Sequence, residues 1–358
     1  MKDIRVLVPS IGHPTRPSLA EAMRGPGDRH VTIVGADMDG GGIAPHVPDE
    51  FVQVPGRDDP GYIDRVLEIC RDYEIDAYYA LGEEEAIGSA ERLDEFRAQG
   101  VGVITPGNPD MLRLSSNKAR YHEFFNEQGI PAAGFRTIAS FAELEDGLKE
   151  MGFPEIDVFL KPTQSKGGRG ARLVTASDDP NVGKDVRAAG QPVMSLETCL
   201  EEFRRQEGPD FPELIAMEYL PGTYYSCDVL SRDGEVLYSV PKIRVRGTAS
   251  NTTVGQVDLN DAVIDLSKQA CKAFGYSFLQ NYEMKMDRNG EPRIYDINPR
   301  GGTSLILAKA AGANIAWYAV LMALGEDVPE NAPLKDGVRM LRHFREYFDD
   351  GTPPQRRG

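Results

Sequence analysis

Residues 281–300, NYEMKMDRNGEPRIYDINPR, carry the strongest structural signal in the chain. Two runs of alternating apolar and polar residues flank Asn289-Gly290, the dipeptide most favoured in two-residue turns between antiparallel strands. The stretch therefore predicts a β-hairpin. If these two residues form the turn, Arg288 faces Glu291, and this first pair fixes the register of all later pairs.

This register places two carboxylates on one face of the hairpin. Glu283 faces Asp296 with Cβ atoms about 4.5–5.5 Å apart, and Asn281 faces Asn298 on the same side. Facing like charges repel, so the pair requires full solvation, a raised pKa or a cation between the carboxylates. Carboxylate and amide oxygens without His or Cys suit Mg²⁺, and a solvated polar face with Lys285 offsetting the charge is the alternative. The opposite, buried face is predicted to contain Tyr282, Met284, Met286, Tyr295 and Ile297.

A second segment, KPTQSKGGRG at residues 161–170, places a lysine at the end of a predicted strand and three glycines in the turn that follows. Glycine lets backbone N–H groups converge on anionic oxygens, and Lys161 supplies a point charge for phosphate. The chain has no GxxxxGK[ST] string, so this is not a Walker A loop. Alone, the segment fits an ordinary flexible hairpin better than a phosphate site.

A third segment, MEYLPGTYYSCD at residues 217–228, predicts a strand, a Pro-Gly turn and another strand. In this order and at these intervals, the three segments resemble the ATP-grasp superfamily, in particular its carbamoyl-phosphate-synthetase-like branch, which includes many amino-acid ligases. The resemblance covers roughly residues 1–330, and the DINPRGG end is its most specific part. It implies an α/β (α+β ATP-grasp) fold. The implied parts are a Rossmann-like pre-ATP-grasp domain at 1–113, an ATP-grasp domain with an antiparallel sheet at 114–330, its small lid domain at about 150–220, and a C-terminal segment at 331–358.

The resemblance also implies the parts of an ATP site. Two lysines would contact the nucleotide, a glycine-rich lid would cover its phosphates, and a hinge backbone would meet the adenine edge. The implied nucleotide residues are Lys118, Lys161, Gly167, Gly168, Gly170, Glu218 and Leu220; the Mg²⁺ ligands are Glu283, Asp296 and Asn298; and Arg300 holds the transferring phosphoryl group.

The sequence departs from the family pattern at the ribose contact. Tyr224 stands where the family commonly has a glutamate for the ribose hydroxyls, so one phenolic hydrogen bond replaces a bidentate carboxylate. Asp296, where a glutamate is usual, is a milder change because it keeps the charge. Lys118 lies in the first turn of its predicted helix, where the helix dipole disfavours a cation, and this favours a functional role over a surface role.

Strand–helix alternation in the first hundred residues predicts a parallel sheet with helices on its faces. The turn after the first strand, Pro9-Ser10-Ile11-Gly12-His13-Pro14, lacks the glycine spacing of a dinucleotide fingerprint. Gly40-Gly41-Gly42 does not supply that spacing either, so NAD binding is disfavoured.

The substrate side is predicted from a strand that carries Lys242, Arg244 and Arg246 on one face by alternation. A guanidinium matches a carboxylate bidentately, so Arg244 or Arg246 is expected to bind a substrate carboxylate or acyl phosphate. Surface charge pairing is the alternative. Thr303 and Ser304 are expected to add hydroxyl contacts.

Further elements follow from capping and periodicity. Ser116 is predicted to cap a helix that carries Lys118 and stops at Gly129. Residues 304–324 are predicted as one helical run, and the tail from about Asp349 is expected to be disordered.

Composition narrows the class of protein. The chain has 358 residues, with 40 Lys plus Arg against 56 Asp plus Glu, a net charge of −16. This charge disfavours a general nucleic-acid binder, and the lack of a long apolar run or signal peptide predicts a soluble, cytoplasmic protein without a membrane partner. A homodimer is left open. The four cysteines are expected to be reduced core thiols: Cys70, Cys199, Cys227 and Cys271. The five histidines are expected to be structural or exposed: His13, His30, His46, His122 and His343.

The expected cofactors are ATP and Mg²⁺, with Mn²⁺ as an alternative metal. A small-molecule carboxylate would attack the γ-phosphate to give ADP and an acyl phosphate, from which an amine substrate displaces phosphate to form an amide. A bicarbonate-activating enzyme and a non-catalytic ATP-binding module remain the alternatives.

Overall fold

The structure is a computed structural model that describes residues 3–163, 170–209, 211–248, 251–330, 332–343 and 345–348. Its first sheet is parallel, with the strand order β3-β2-β1-β4-β5. Both faces of its central strands are buried, which explains why they are continuous apolar runs. The elements of this region are β1 (Ile4–Pro9), α1 (Arg16–Met23), β2 (Val31–Asp37), β3 (Glu50–Gln53), α2 (Tyr62–Asp72), β4 (Ala77–Tyr79), α3 (Glu83–Glu91), α4 (Leu93–Ala98), β5 (Gly102–Ile104), α5 (Pro109–Ser116) and α6 (Lys118–Glu127).

The second sheet has the order β6-β10-β7-β8-β9 and a hydrophobic core of its own, built around Leu160, Phe203 and Leu214. A separate core is what a lid needs if it is to move as a unit. The elements are β6 (Phe135–Ile138), α7 (Leu144–Glu150), β7 (Val158–Pro162), β8 (Arg172–Val174), α8 (Lys184–Ala188), β9 (Val193–Met194), α9 (Leu196–Arg204) and β10 (Leu214–Glu218).

The third sheet is antiparallel, with the order β15-β14-β11-β12-β13-β16. Two hydrophobic cores join it to the first sheet, for example Tyr78 with Met284, and Val8 with Val240. These shared cores hold the cavity walls in place. The elements are β11 (Tyr224–Arg232), β12 (Glu235–Gly247), β13 (Thr252–Val257), α10 (Asp261–Phe274), β14 (Phe278–Met286), β15 (Pro292–Asn298), α11 (Ile306–Ala310), α12 (Ile315–Ala323) and β16 (Arg339–Leu341).

The predicted fold class is confirmed: a parallel N-terminal sheet precedes a small lid sheet and an antiparallel C-terminal sheet. All four cysteines are buried free thiols. In the parts of the chain that the structure describes, no helix is both long and apolar enough to cross a membrane.

Two local predictions were wrong. The helix that begins at Lys118 is capped by Asn117, whose side chain accepts from the Arg120 N–H, and Ser116 instead ends the preceding helix. The run 304–324 forms two helices because Gly312, with a φ of +115°, breaks the helical path. The predicted disordered tail from Asp349 lies outside the described residues.

Candidate functional site

The β14–β15 hairpin pairs Glu283 with Asp296 and Asn281 with Asn298, as the sequence predicts. The predicted turn was wrong, however. Asp287 N–H donates to the Glu291 carbonyl at 2.8 Å, so the loop has three residues, and Gly290 takes a left-handed φ of +83°. A β-bulge between this turn and the carboxylate pair restores the predicted register, because the extra residue in β15 offsets the longer loop.

The bulge changes the face on which Tyr295 lies. Glu283 pairs with Asp296 but Met284 pairs with Ile294, so Tyr295 has no partner of its own. Its phenol does not join the buried face as predicted; it donates to Glu283 Oε2 at 2.9 Å and lines the cavity. The phenol therefore orients one carboxylate of the pair.

Two lysines converge on the other carboxylate. Lys118 Nζ lies 3.7 Å and Lys161 Nζ 3.8 Å from Asp296 Oδ1, and Lys161 also donates to the Tyr295 carbonyl at 3.0 Å. Burial lowers the pKa of Lys161 to about 8, with Lys118 acting in the same direction and Asp296 opposing it. The two lysines come from α6 and β7, which are remote in sequence.

The facing carboxylates respond differently to burial. Burial and the Asp296 charge raise the pKa of Glu283, whereas for Asp296 the effect of burial is outweighed by Lys118 and Lys161, which hold its pKa below the usual range. Among the described residues no cluster of three or more His, Cys, Asp or Glu side chains forms a metal site. The donor set is two carboxylates plus the Asn298 amide, which fits a hard ion completed by phosphate and water.

The amide and guanidinium next to the pair are already connected. Arg300 Nη2 donates to Asn298 Oδ1 at 3.1 Å, and Asn298 Nδ2 donates to Asn281 Oδ1 at 3.4 Å. Arg300 lines the cavity and, with Arg244, opposes the rise in the Glu283 pKa. The positive charge of both arginines therefore reaches the carboxylate pair.

Tyr224 and Arg244 form a stacked pair on the cavity wall. The Arg244 guanidinium carbon lies 4.0 Å from the centre of the Tyr224 ring, and its Nη2 donates to the phenol oxygen at 2.8 Å. Burial and the nearby Glu283 charge raise the pKa of Tyr224, so the phenol is neutral. The sequence predicted both residues in the site but not their contact.

The prediction that Lys242, Arg244 and Arg246 share one face was wrong in part. Lys242 is buried in an ion pair with Asp228 and does not line the cavity, and a bulge interrupts the strand between Arg244 and Arg246. Arg246 lines the cavity from an exposed position. Thr303 also lines the cavity, whereas Ser304 is buried.

The hinge residues Glu218 and Leu220 line the same cavity. Glu218 Oε2 accepts from the Gly134 N–H at 3.1 Å, and Leu220 packs in a small apolar cluster with Met217. Gly167 and Gly168 lie outside the described residues. Gly170 is described, with a left-handed φ of +73°, but does not line the cavity.

An ion pair connects the lid to the third sheet. Asp185, on the lid helix α8, accepts from Lys285 Nζ of β14 at 2.7 Å and from the Tyr219 hydroxyl at 2.5 Å. Both acid and lysine line the cavity. The lid is thus held against the sheet on the side that carries Tyr224, the cross-strand partner of Lys285.

The cavity has a volume of about 1130 Å³ and extends to the N-terminal domain. There it is lined by residues that sequence reasoning missed: Ser10, His13, Arg16 and Arg57. His13, expected to be structural or exposed, is exposed and also lines this wall. These residues follow the carboxyl ends of parallel strands, where open α/β sheets bind ligands. The predicted strand order could therefore have indicated them.

Two protein families match parts of this chain. A family described as "ATP-grasp in the biosynthetic pathway with Ter operon" matches residues 210–344, and the "PylC-like, N-terminal domain" family matches residues 6–104. The carbamoyl phosphate synthase large chain of Rubrobacter xylanophilus is 22% identical over 289 residues, which are 77% of this chain and 25% of that protein. The chain therefore spans about a quarter of the length of this relative.

Two solved structures are similar in fold. Biotin carboxylase from Campylobacter jejuni, in a β,γ-ATP complex, has a TM-score of 0.66 at 15% identity, covering 94% of this chain and 74% of that one. The L-amino acid ligase from Bacillus licheniformis has a TM-score of 0.61 at 16% identity, covering 90% and 74%. These two structures show the fold. The family matches and the relative in sequence show that the chain belongs to the ATP-grasp superfamily.

Proposed function

We propose that this protein is an ATP-dependent ligase that joins a carboxylate to an amine through an acyl phosphate, with an amino acid as one substrate. The observation that carries the proposal is the cluster of Lys118, Lys161, Glu283 and Asp296 in one cavity. Phosphoryl transfer depends on alignment and charge neutralisation more than on a protein nucleophile, and this cluster supplies both.

The proposed nucleotide position follows from the chemistry of the walls. The base lies against the apolar wall that includes Phe159, Met217 and Leu220, and Lys118 and Lys161 contact the phosphates. The Tyr224 hydroxyl offers the ribose one hydrogen bond. The Asp185–Lys285 ion pair holds the lid against the sheet.

Glu283, Asp296 and Asn298 would hold Mg²⁺. Burial and the Asp296 charge raise the pKa of Glu283, and a cation between the two carboxylates would offset both effects. When bound, Mg²⁺ neutralises phosphate charge as the phosphoryl group moves. The Tyr295 phenol keeps Glu283 oriented, and Arg300 binds the transferring phosphoryl group. Arg244, whose stack against Tyr224 fixes its direction, and Arg246 bind the substrate carboxylate or the acyl phosphate.

The reaction then proceeds in two steps. A substrate carboxylate oxygen attacks the γ-phosphorus, and ADP leaves as the acyl phosphate forms. The amine attacks the acyl carbon, loses a proton, and inorganic phosphate leaves. The closed lid excludes water, which would otherwise hydrolyse the acyl phosphate.

A panel assay tests the proposal. The protein is incubated with ATP, Mg²⁺ and the proteinogenic amino acids singly and in pairs, and ADP and product mass are measured. Hydroxylamine traps an activated acyl group as a hydroxamate. The proposal predicts substrate-dependent ADP and hydroxamate in equal amounts, abolished by Lys161→Met and unchanged by Lys149→Met, which alters an exposed lysine.

Bicarbonate activation is the second candidate, because the sequence relative and one structural neighbour named above are a carbamoyl phosphate synthase and a biotin carboxylase. It uses the same ATP residues. Incorporation of [¹⁴C]bicarbonate without amino-acid-dependent ADP release would replace the ligase proposal. Nucleotide binding with no ADP release on any substrate would instead indicate a non-catalytic ATP-binding module.

A further inference from the structure

The cavity wall formed by the N-terminal domain contains an arginine, Arg16, whose buried Nε has no hydrogen-bond partner among the described residues. Arg16 is the first residue of α1 and lines the cavity directly after the β1 loop. Its Nε is sealed from solvent and has no hydrogen-bond partner, and none of the carboxylates in the described parts of the chain forms an ion pair with its side chain. A desolvated cation without an acceptor is costly unless a ligand supplies one.

Further positive groups surround Arg16. Arg57 follows β3, lines the same wall and donates to Ser10 Oγ at 2.5 Å. Burial lowers the pKa of Arg16 to about 10, and both Arg300 and Arg57 act in the same direction. The same surroundings lower the pKa of His13 to about 4, first by burial and then by Arg16 and Arg300. This local cluster of positive charge contrasts with the net charge of −16 of the whole chain.

The neighbouring acids are mostly engaged elsewhere. Asp37 accepts from the backbone N–H groups of Gly12 and Asp39, and buried Glu85 accepts from two tyrosines and from the Gly82 N–H. Glu83, in the first turn of α3, also lines the cavity. Asp58, next to Arg57, lines it too. Three guanidinium groups, those of Arg16, Arg57 and Arg300, outnumber these two acids.

This cationic wall is distinct from the phosphate end. The proposed γ-phosphate and reacting carboxylate lie by Lys161, Asp296 and Arg300, on elements of the lid and third sheet. Arg16 and Arg57 come from loops and a helix of the first sheet, and Arg16 lies close enough to Arg300 for their charges to interact. A substrate with a single carboxylate would satisfy Arg300 or Arg244 and leave the N-terminal arginines uncompensated.

We propose that the substrate carboxylate carries a second anionic group, a further carboxylate or a phosphate monoester, which Arg16 and Arg57 bind at the N-terminal wall. This inference rests on the proposed ligase function, which it deepens by naming the substrate class. Two planar guanidinium groups present paired N–H donors, which match either anion bidentately.

Calorimetric titration of the full chain tests the inference with glutarate, butyrate and inorganic phosphate as probes at constant ionic strength. Glutarate and phosphate are expected to bind, and butyrate to bind at least about tenfold more weakly. Glutarate binding tighter than phosphate identifies the second group as a carboxylate, and the reverse order identifies a phosphate. Butyrate binding as tightly as both dianions overturns the inference.

Variants assign the binding to the wall. Arg16→Met and Arg57→Met are each expected to weaken the binding of the more tightly bound dianion by about 10- to 100-fold. Arg97→Met, on an exposed helix surface, is expected to leave this affinity unchanged. Circular dichroism checks the fold of each variant, and Arg57→Met provides the test if Arg16→Met does not fold. Unchanged dianion affinity in a folded variant of either arginine overturns the assignment.

The panel assay separates this inference from the proposed function. ADP release with monocarboxylates as efficient as with dianionic substrates would overturn the inference and leave the ligase proposal intact. No ADP release on any substrate, with arginine-dependent glutarate or phosphate binding retained, would overturn the ligase proposal and leave the anion site intact.

Discussion

The pKa of Lys161 predicts a specific pH dependence of nucleotide binding. Burial lowers this pKa from 10.5 to about 8, and only the charged ammonium attracts phosphate. If ATP binds only the protonated form, the apparent Kd rises by a factor of about 2 at pH 8 and about 11 at pH 9, relative to its low-pH limit. Affinity is therefore fully present at pH 7 and lost as the pH rises through 8.

The assay is calorimetric titration with ATP in EDTA between pH 7 and 9.5, so that no metal contributes. Burial lowers the pKa of His13 to about 4 and of His122 to about 3, so neither changes its charge in this window. Lys161→Arg provides the matched control because guanidinium stays charged throughout. A flat wild-type profile to pH 9.5, or a parallel decline in Lys161→Arg, would show that the charge of Lys161 does not control ATP binding.

Three other substitutions have defined outcomes. Lys242→Met leaves a buried carboxylate without its cation and is expected to lower the free energy of unfolding by about 3 kcal/mol, measured by urea titration; a loss below about 1 kcal/mol contradicts the assignment. Tyr295→Phe removes the donor to Glu283 and should weaken metal affinity about tenfold without lowering the Tm; unchanged affinity denies the phenol an orienting role. Asp185→Asn breaks the half-exposed contact with Lys285 and should raise the Kd for ATP about two- to fivefold, and a larger loss would show that the acid contacts the nucleotide directly.

The carboxylate pair could be predicted from sequence even though part of the reasoning was wrong. A two-residue turn and an unbroken ladder predict that Glu283 faces Asp296, and the structure reaches this pair through a three-residue turn and a compensating bulge. Asp287 stabilises the longer turn by accepting the N–H groups of Asn289 and Glu291. Neither deviation is visible in a pattern of alternating residues, and therefore Tyr295 was assigned to the wrong face.

Contacts between remote segments could not be predicted from local pattern. Lys242 has the same spacing as Arg244 but is buried in an ion pair with Asp228, which lies diagonally across from it on β11, two residues from its cross-strand partner Ser226. Arg16 belongs to no recognisable sequence motif. It becomes a candidate binding residue only because the first sheet packs beside the Gly301-Gly302 loop. Such placements depend on tertiary packing, which the three sequence segments do not specify.

The proposed function depends most on Glu283 and Asp296 together holding the metal that accompanies ATP. Electron paramagnetic resonance of Mn²⁺, titrated into protein with saturating ATP, measures this directly. The wild type is expected to bind Mn²⁺, and the Glu283→Gln plus Asp296→Asn variant is expected to bind it at least about tenfold more weakly. Wild-type Mn²⁺ affinity and full turnover in a folded double variant would contradict it.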